Sequence, residues 1–190
     1  MAFSEIEKIN IREKLMTSCE ESWSRVGYKK TNIDELCAKA GISKGAFYLF
    51  FNSKEELFCD VIMSIQARLV TLMNESLGNA PTKYDLASTL KLVYREYDKV
   101  PFVFEIRSPD FIAFMNKLPK EKIDELEFHG DYDVRDILKK TDLKYKIEEN
   151  KGNAAFAILF MPITEKEKLP WNYLESIDFM IDTLIENIFE

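Results

Sequence analysis

The chain has only one histidine, His129, and three cysteines in 190 residues. Serine or cysteine nucleophiles usually need a neighbouring histidine, and the sequence holds no H-E-x-x-H motif and no glycine-rich phosphate loop. The cysteines, Cys19, Cys37 and Cys59, are odd in number and lack paired metal-ligand spacing. We therefore expect no enzyme, no metal and no cofactor. Cys19 and Cys37 lie in apolar stripes, which predicts buried thiols, with redox sensing as the alternative.

Long apolar runs are also absent. No segment approaches the roughly 18 uninterrupted apolar residues of a membrane-spanning helix. The first ten residues include Glu5, Glu7 and Lys8 and lack the basic start and apolar run of a secretory leader. We expect a cytoplasmic protein that does not enter a membrane.

Apolar residues recur at helical spacing, and the alternation typical of strands is almost absent. With 46% hydrophobic residues, the chain can bury a substantial core. The pattern predicts an all-α fold of about nine helices. Beyond the N-terminal region, the expected helices are 53–76, 82–99, 108–118, 119–140 with an interruption near Gly130, 153–161 and 170–189.

Charge is unevenly distributed along the chain, whose net charge is -7. Residues 1–58 hold nine basic and nine acidic side chains, so all the excess acid lies in residues 59–190. Within residues 25–54, six basic side chains stand against two acidic ones. A locally basic region on an acidic protein favours one orientation toward a polyanion, with affinity that falls as salt rises. For residues 59–190, an acidic surface that only maintains solubility explains the excess negative charge equally well.

Residues 31–57 contain three helix starts in close succession. Thr31 is expected to cap a first short helix, which Gly41 ends because glycine takes a positive φ at little cost. Ser43 is expected to cap a second helix that stops at Asn52. A capping box of Ser53 and Glu56 then opens a long third helix. This succession predicts a helix-turn-helix.

The second of these helices has two arcs, since each residue advances about 100°. One arc holds Lys44, Gly45, Tyr48 and Leu49, and the other holds Ala46, Phe47 and Phe50. Together with Ser43, the first arc offers small residues, a cation and an aromatic side chain, as a helix in a major groove requires. We call Ser43, Lys44, Gly45, Tyr48 and Leu49 the reading face. A helical hairpin with merely solvated basic residues is the alternative.

Residues 11–62 resemble the TetR family of bacterial transcriptional repressors. The matching positions are Leu15, Met16, Cys19, Trp23, Gly27, Tyr28, Thr31, Ile33, Leu36, Ala38, Ala40, Gly41, Ile42, Ser43, Lys44, Gly45, Phe47, Tyr48, Phe51, Ser53, Lys54, Glu55 and Leu57. The family often has Thr where Ala46 stands, and Tyr then His where Leu49 and Phe50 stand. Two phosphate contacts of the family are therefore missing or replaced.

The resemblance implies a DNA-binding domain at residues 1–52 and a helical effector-binding and dimerisation domain at 53–190. It also implies a double-stranded operator, an inverted repeat bound by a homodimer, and no catalysis. Effector binding would tilt the long helix from Ser53 and separate the two DNA-binding domains of the dimer, which we call its heads. The candidate DNA contacts are Thr31, Ile42, Ser43, Lys44, Gly45, Tyr48, Leu49 and Lys54.

The last helices carry more apolar surface than one contact needs. Following the resemblance, they are expected to form an intersubunit four-helix bundle. An ordinary core helix is the alternative. The candidate dimer residues are Ala155, Ile158, Leu159, Leu174, Ile177, Ile181, Leu184 and Ile188, with Phe179 and Met180 at the flank.

The middle of the chain is rich in aromatic side chains. In a ligand-responsive repressor they would line a site for a small lipophilic effector, and Glu96, Glu105 or Asp110 would be available to a cation. Ordinary core packing is expected for most of them. The candidates are Tyr94, Tyr97, Phe102, Phe104, Phe111, Phe114, Met115 and Phe128. The competing function is a helical adaptor whose head binds protein and not DNA.

Overall fold

The computed structural model describes residues 3–100, 102, 108–130, 138, 139, 141–159 and 172–190, with backbone only for 127–130. The all-α prediction is confirmed: the described residues form nine helices and contain no strand beyond an isolated bridge between Tyr145 and Phe189. The helices are α1 Glu5–Lys30, α2 Ile33–Ala40, α3 Lys44–Phe47, α4 Lys54–Leu77, α5 Lys83–Asp98, α6 Pro109–Met115, α7 Lys120–Gly130, α8 Glu149–Leu159 and α9 Tyr173–Ile188.

Backbone contacts divide the chain into two units. Unit 1 contains Met1–Gln66 and Val100–Gly130, and unit 2 contains Ala67–Lys99 and Asp131–Glu190. The units differ from the expected domains 1–52 and 53–190, because a segment from the middle of the chain packs with the N-terminal helices. The functional boundary at residue 52 stays a prediction.

Unit 1 is organised around α1. Its N-terminus has a reciprocal capping box between Ser4 and Glu7, and the apolar stripe of Leu15, Cys19 and Trp23 is buried as the spacing predicted. At Gly27 the backbone takes φ 82° and ψ 170°, which breaks the helix one turn before its end. Few residues other than glycine adopt this conformation.

The cap of α2 differs from the expected one. Asn32, and not Thr31, caps this helix, because the Asn32 side chain accepts a hydrogen bond from the Asp34 N–H at 2.9 Å. The Thr31 hydroxyl instead donates to the Gly27 carbonyl at 2.8 Å and bonds with Ser22. Gly41 ends α2 in the left-handed conformation, as expected.

The second short helix is shorter than expected. The Ser43 hydroxyl caps it as predicted, but regular α-helix covers only Lys44–Phe47. Beyond it, the Leu49 and Phe50 N–H groups donate to carbonyls three residues earlier, at 3.0 and 2.9 Å. The chain thus continues as tight turns toward Asn52.

The start of α4 keeps half of the expected capping box. The Ser53 hydroxyl accepts from the Glu56 N–H at 3.1 Å. The Glu56 carboxylate accepts from the backbone and side-chain amides of Asn52, at 2.7 and 2.9 Å. We call residues 43–52 the reading segment; Glu56 joins the end of this segment to the long helix α4.

Unit 2 buries its core between α5, α8, α9 and the C-terminal part of α4. The Thr82 and Asp85 side chains form a reciprocal capping box at the start of α5. On the outside, Arg95 donates two hydrogen bonds to the Asp178 carboxylate, which joins α5 to α9. The buried apolar residues are Met73, Leu77, Leu86, Ala87, Leu90, Val93, Tyr94, Leu138, Phe156, Leu159, Ile177, Ile181, Ile185, Ile188 and Phe189.

The helices expected after residue 81 are present where described, with different limits. The one expected at 153–161 begins four residues earlier, at Glu149, and the last begins at Tyr173. Residues 131–137 and 140 of the helix expected at 119–140, and residues 170 and 171 of the last helix, lie outside the described residues. All three cysteines are buried and free, so the predicted burial of Cys19 and Cys37 is confirmed.

Candidate nucleic-acid interface

The reading face points outward. Tyr48 and Leu49 are 52% and 74% exposed, and Ser43, Lys44 and Gly45 are exposed as well. Phe47, on the other arc, is fully buried. Its ring packs edge-on against the Tyr48 ring, with centroids 5.3 Å apart, and its centroid lies 5.8 Å from that of the Phe51 ring. The orientation expected from helical periodicity is therefore confirmed, and one buried aromatic anchors the exposed side chains.

Lys44, the cation of the reading face, is paired with Asp34 of α2. Its Nζ lies 3.0 Å from Asp34 Oδ2, and both side chains are more than half exposed. The hydrogen bond to Asp34 raises the pKa of Lys44. Since exposed ion pairs contribute little stability, Asp34 holds the Lys44 ammonium only weakly.

Three other candidate DNA contacts are not part of the exposed reading face. The Thr31 side chain is buried, and Ile42 is half-buried. Lys54 is half-buried: its Nζ donates to the Tyr28 carbonyl and lies 4.4 Å from the centre of the Tyr28 ring. Burial lowers the pKa of Lys54. The outward groups are thus those of the reading face.

The aromatic residues expected to form one effector site fall into separate groups. Phe102, Phe111 and Phe114 pack in unit 1 around Trp23 and Tyr28. The Trp23 ring stacks on Phe102, with centroids 4.1 Å apart and planes at 9°. We call Trp23, Tyr28, Phe58, Phe102, Phe111 and Phe114 the aromatic cluster.

Tyr94 and Tyr97 belong instead to unit 2, where both pack against or within the apolar core. Met115 is half-buried at the end of α6. Phe104 and the Phe128 side chain lie outside the described residues. The expected single aromatic lining is therefore divided, and ordinary packing accounts for the members in the aromatic cluster.

Asp110 has a structural function that the sequence did not indicate. Its carboxylate accepts hydrogen bonds from the Tyr28 N–H and, at 3.0 Å, from the Lys29 N–H. Lys29 Nζ also donates to the Pro109 carbonyl at 3.2 Å. The carboxylate expected to be available to a cationic ligand thus holds the backbone just before the helix-turn-helix.

Thr89 of α5 is another feature that the sequence pattern did not single out. Its side chain is fully buried, and its hydroxyl has no hydrogen-bond partner among the described residues. Thr89, Val93 and Tyr97 follow one another at four-residue spacing and share one helix face. A polar residue in an otherwise apolar stripe was the available signal.

The dimer candidates divide by exposure. Leu159, Ile177, Ile181 and Ile188 are already buried within unit 2. Ala155, Leu174 and Leu184 are half-buried. On the outer surface lie Ile158, Phe179 and Met180, which are 64%, 71% and 45% exposed.

Two general features of the described residues bear on function. None of their helices is both long and apolar enough to cross a lipid bilayer. No group of three potential metal-binding side chains occurs among them.

Burial raises the pKa of Cys59 to about 12 and raises the pKa values of Cys19 and Cys37. A raised pKa disfavours the reactive thiolate of a redox sensor.

Comparison with known proteins identifies the N-terminal region. Residues 16–61 match the family model described as bacterial regulatory proteins, tetR family. The HTH-type transcriptional regulator YerO of Bacillus subtilis is 28% identical over 89 residues, which are 45% of this chain and 31% of YerO. The chain thus matches less than a third of that relative. The nucleoid occlusion factor SlmA of Shewanella frigidimarina is 25% identical over 166 residues, 85% of this chain and 83% of SlmA.

Solved structures share the fold over nearly the whole chain. The TetR-family regulator PfmR from Thermus thermophilus has a TM-score of 0.64 and 18% identity, covering 91% of this chain and 97% of PfmR. A TetR-family regulator from Marinobacter aquaeolei has a TM-score of 0.63 and 13% identity, covering 98% and 100%. The described helices therefore have the fold of these TetR-family regulators. Within this fold, the residues 16–61 that match the family model contain the helix-turn-helix and the reading face.

Proposed function

We propose that the protein is a repressor that binds an inverted-repeat operator as a homodimer. The observation that carries this proposal is the reading face, because a capped helical turn presents a lysine, a glycine and a tyrosine outward on a buried aromatic anchor. Lys44 would exchange Asp34 for a phosphate, and Tyr48 and Leu49 would contact base edges. The residues 1–52 would form the DNA-binding domain and 53–190 the regulatory one.

Dimerisation would use the outer surface of α8 and α9. The exposed Ile158, Phe179 and Met180 support this, because large apolar side chains on one unit are typical of association surfaces. A two-fold dimer would set two reading faces one DNA turn apart, roughly 34 to 36 Å, and so bind both half-sites. Phe179→Glu should produce a monomer with weak operator binding, whereas Glu175→Gln on the same helix should remain dimeric.

Release from DNA would follow binding of a small lipophilic effector in unit 2. The buried Thr89 hydroxyl, which has no partner among the described residues, supports this location. A buried polar group without a partner is costly unless a ligand or water satisfies it. Tyr97, on the same helix face, would contribute an aromatic wall. Since α4 continues from unit 1 into unit 2, a change at its C-terminal half would alter the spacing of the two heads.

Operator binding is tested with a duplex selected from a random library by the parent protein. Lys44→Ala should weaken binding to all duplexes and reduce the slope of log affinity against log salt by about one. Tyr48→Ala should also change which duplexes are preferred. Salt-independent binding of equal strength by the parent and both variants would contradict the proposal. A reporter gene fused to the operator distinguishes repression from activation.

A second candidate function is nucleoid occlusion, which the similarity to SlmA over most of both chains favours. Binding sites spread along the chromosome would support it, whereas sites confined to promoters would support the repressor. The third alternative, a helical adaptor without DNA binding, requires that no duplex binds even at low salt.

A further inference from the structure

Arg12 of α1 makes three contacts at the far end of the reading segment. Its Nη1 donates to the Phe50 carbonyl at 3.2 Å, and its Nη2 donates to the Asp60 carboxylate of α4. The guanidinium carbon lies 4.4 Å from the centre of the Phe51 ring. One side chain thus joins the first helix, the turn after α3 and the long helix.

This connection matters because α3 is too short to hold its own geometry. Only four residues are regular helix, and isolated helices of this length are unstable. Tyr48 and Leu49 therefore stand on a turn whose position depends on what holds its two ends. At its beginning Ser43 caps the helix. At its end the carbonyl of Phe50 is bound by Arg12.

Phe50 itself shows how this chain departs from the family pattern. The family frequently has a histidine there, whereas here the phenylalanine ring lies 5.8 Å from the ring of Phe3. The Phe50 side chain is half-buried, so it contributes packing and not a polar group. This position serves as an attachment point between the N-terminal segment and the reading segment.

The charges around Arg12 favour an internal role. The Asp60 side chain is only 19% exposed, and that of Arg12 is 44% exposed. Burial raises the pKa of Asp60, which Arg12 opposes by stabilising the carboxylate. Removing Arg12 would leave a half-buried carboxylate without this cation, which is costly. A phosphate would thus compete with a well-shielded acid for this guanidinium.

We propose that Arg12 is a positioning residue for DNA reading: through Phe50 and Asp60 it fixes the turn that carries Tyr48 and Leu49. The proposal rests on the proposed function, because it assigns selectivity to a residue that need not contact DNA. Loss of such a positioning residue should change the relative affinity for different DNA sequences, whereas loss of a phosphate contact lowers the affinity for all sequences alike.

The experiment compares affinities for the selected duplex and for a scrambled duplex of the same length and composition. Arg12→Gln should reduce the ratio of the two affinities by roughly ten-fold, the order of one lost base contact. Arg25→Gln is the matched control, because it removes the same charge from an exposed site on the same helix. It should leave the ratio unchanged. Arg12→Lys keeps the charge but not the planar fork, and should give an intermediate ratio.

Asp60→Ala separates positioning from charge. It makes the head more positive, so electrostatics alone predicts tighter binding to both duplexes. Positioning predicts a lower ratio. Circular dichroism identifies variants that do not fold, and for those Arg12→Lys carries the test.

An unchanged ratio in Arg12→Lys and Asp60→Ala, with equal losses in Arg12→Gln and Arg25→Gln, would overturn the proposal. A parent that binds no duplex would overturn the proposed function itself, and this inference with it. The two failures are therefore distinguishable.

Discussion

The carboxylate of Asp110 occupies the space where a side chain on Gly27 would begin. A Cβ atom built on Gly27 would lie 2.7 Å from Asp110 Oδ2 and 3.1 Å from its Cγ. The Gly27 backbone also has φ +82°. Backbone conformation and close approach therefore both require glycine at the point where α1 breaks.

Gly27→Ala should lower the free energy of unfolding by about 3 kcal/mol, combining the strain of a positive φ with displacement of Asp110. Chemical denaturation measures it. Gly41→Ala is the matched control: its φ is +75°, but nothing lies within 4 Å of the new Cβ. It should cost only about 1 kcal/mol. Equal losses in both variants would mean that Asp110 yields without cost.

Asp110→Ala should lower the free energy of unfolding by about 1 to 2 kcal/mol, because it leaves two backbone N–H groups of a break in α1 without acceptors. Hydrogen exchange should be faster at Tyr28 and Lys29, the two donors. Asp110→Asn keeps one acceptor oxygen and should show a smaller effect. Unchanged exchange at both amides in the alanine variant would refute this role.

Local patterns in the sequence predicted much of unit 1. Ser43 and Gly41 act at the predicted helix ends, because capping depends on residues a few positions apart. The outward direction of Lys44 and Tyr48 followed from helical periodicity alone. Thr31 does not cap α2, because its hydroxyl forms hydrogen bonds with the Gly27 carbonyl and the Ser22 hydroxyl. The local sequence pattern does not reveal these contacts.

Contacts between distant parts of the chain were not predictable from such patterns. Asp110 and Tyr28 are 82 residues apart in sequence, and no spacing rule connects them. The aromatic residues were expected together because they are close in sequence, yet Phe102 stacks on Trp23 whereas Tyr97 packs in unit 2. Aromatic content indicated burial, but it did not indicate the partner.

Thr89→Val should raise the free energy of unfolding by about 1 kcal/mol. It replaces a buried hydroxyl, which has no partner among the described residues, with a methyl group of similar shape. Thermal or chemical denaturation measures the gain. Thr183→Val on α9 is the control, since the Thr183 side chain is exposed and its hydroxyl donates to the Phe179 carbonyl at 2.8 Å. It should show no gain. A loss of stability in Thr89→Val would indicate that the hydroxyl is satisfied.

If the effector proposal is correct, the same variant should also respond less to effector. Compounds from a lipophilic panel that release the parent from its operator should release Thr89→Val only at higher concentration. When Val93→Thr is added to the Thr89→Val variant, it supplies a hydroxyl one turn away on the same helix face. This second change should not restore the response. Identical release curves for the parent and Thr89→Val would separate this residue from effector binding.

Stability should depend on pH through the capping box of α5. Hydrogen bonds from the Thr82 side chain and backbone lower the pKa of Asp85. A carboxyl whose folded-state pKa lies below its unfolded value of about 3.9 stabilises the fold above that pH, and the stabilisation disappears as pH falls through the folded value. The advantage of the parent over Asp85→Asn should therefore be constant from about pH 7 to 5 and shrink below about pH 4. In a Thr82→Ala background, which lacks the hydroxyl donor, the same comparison should show a weaker pH dependence. An advantage that grew on acidification would have the wrong sign for a lowered pKa, and would assign the effect to another group.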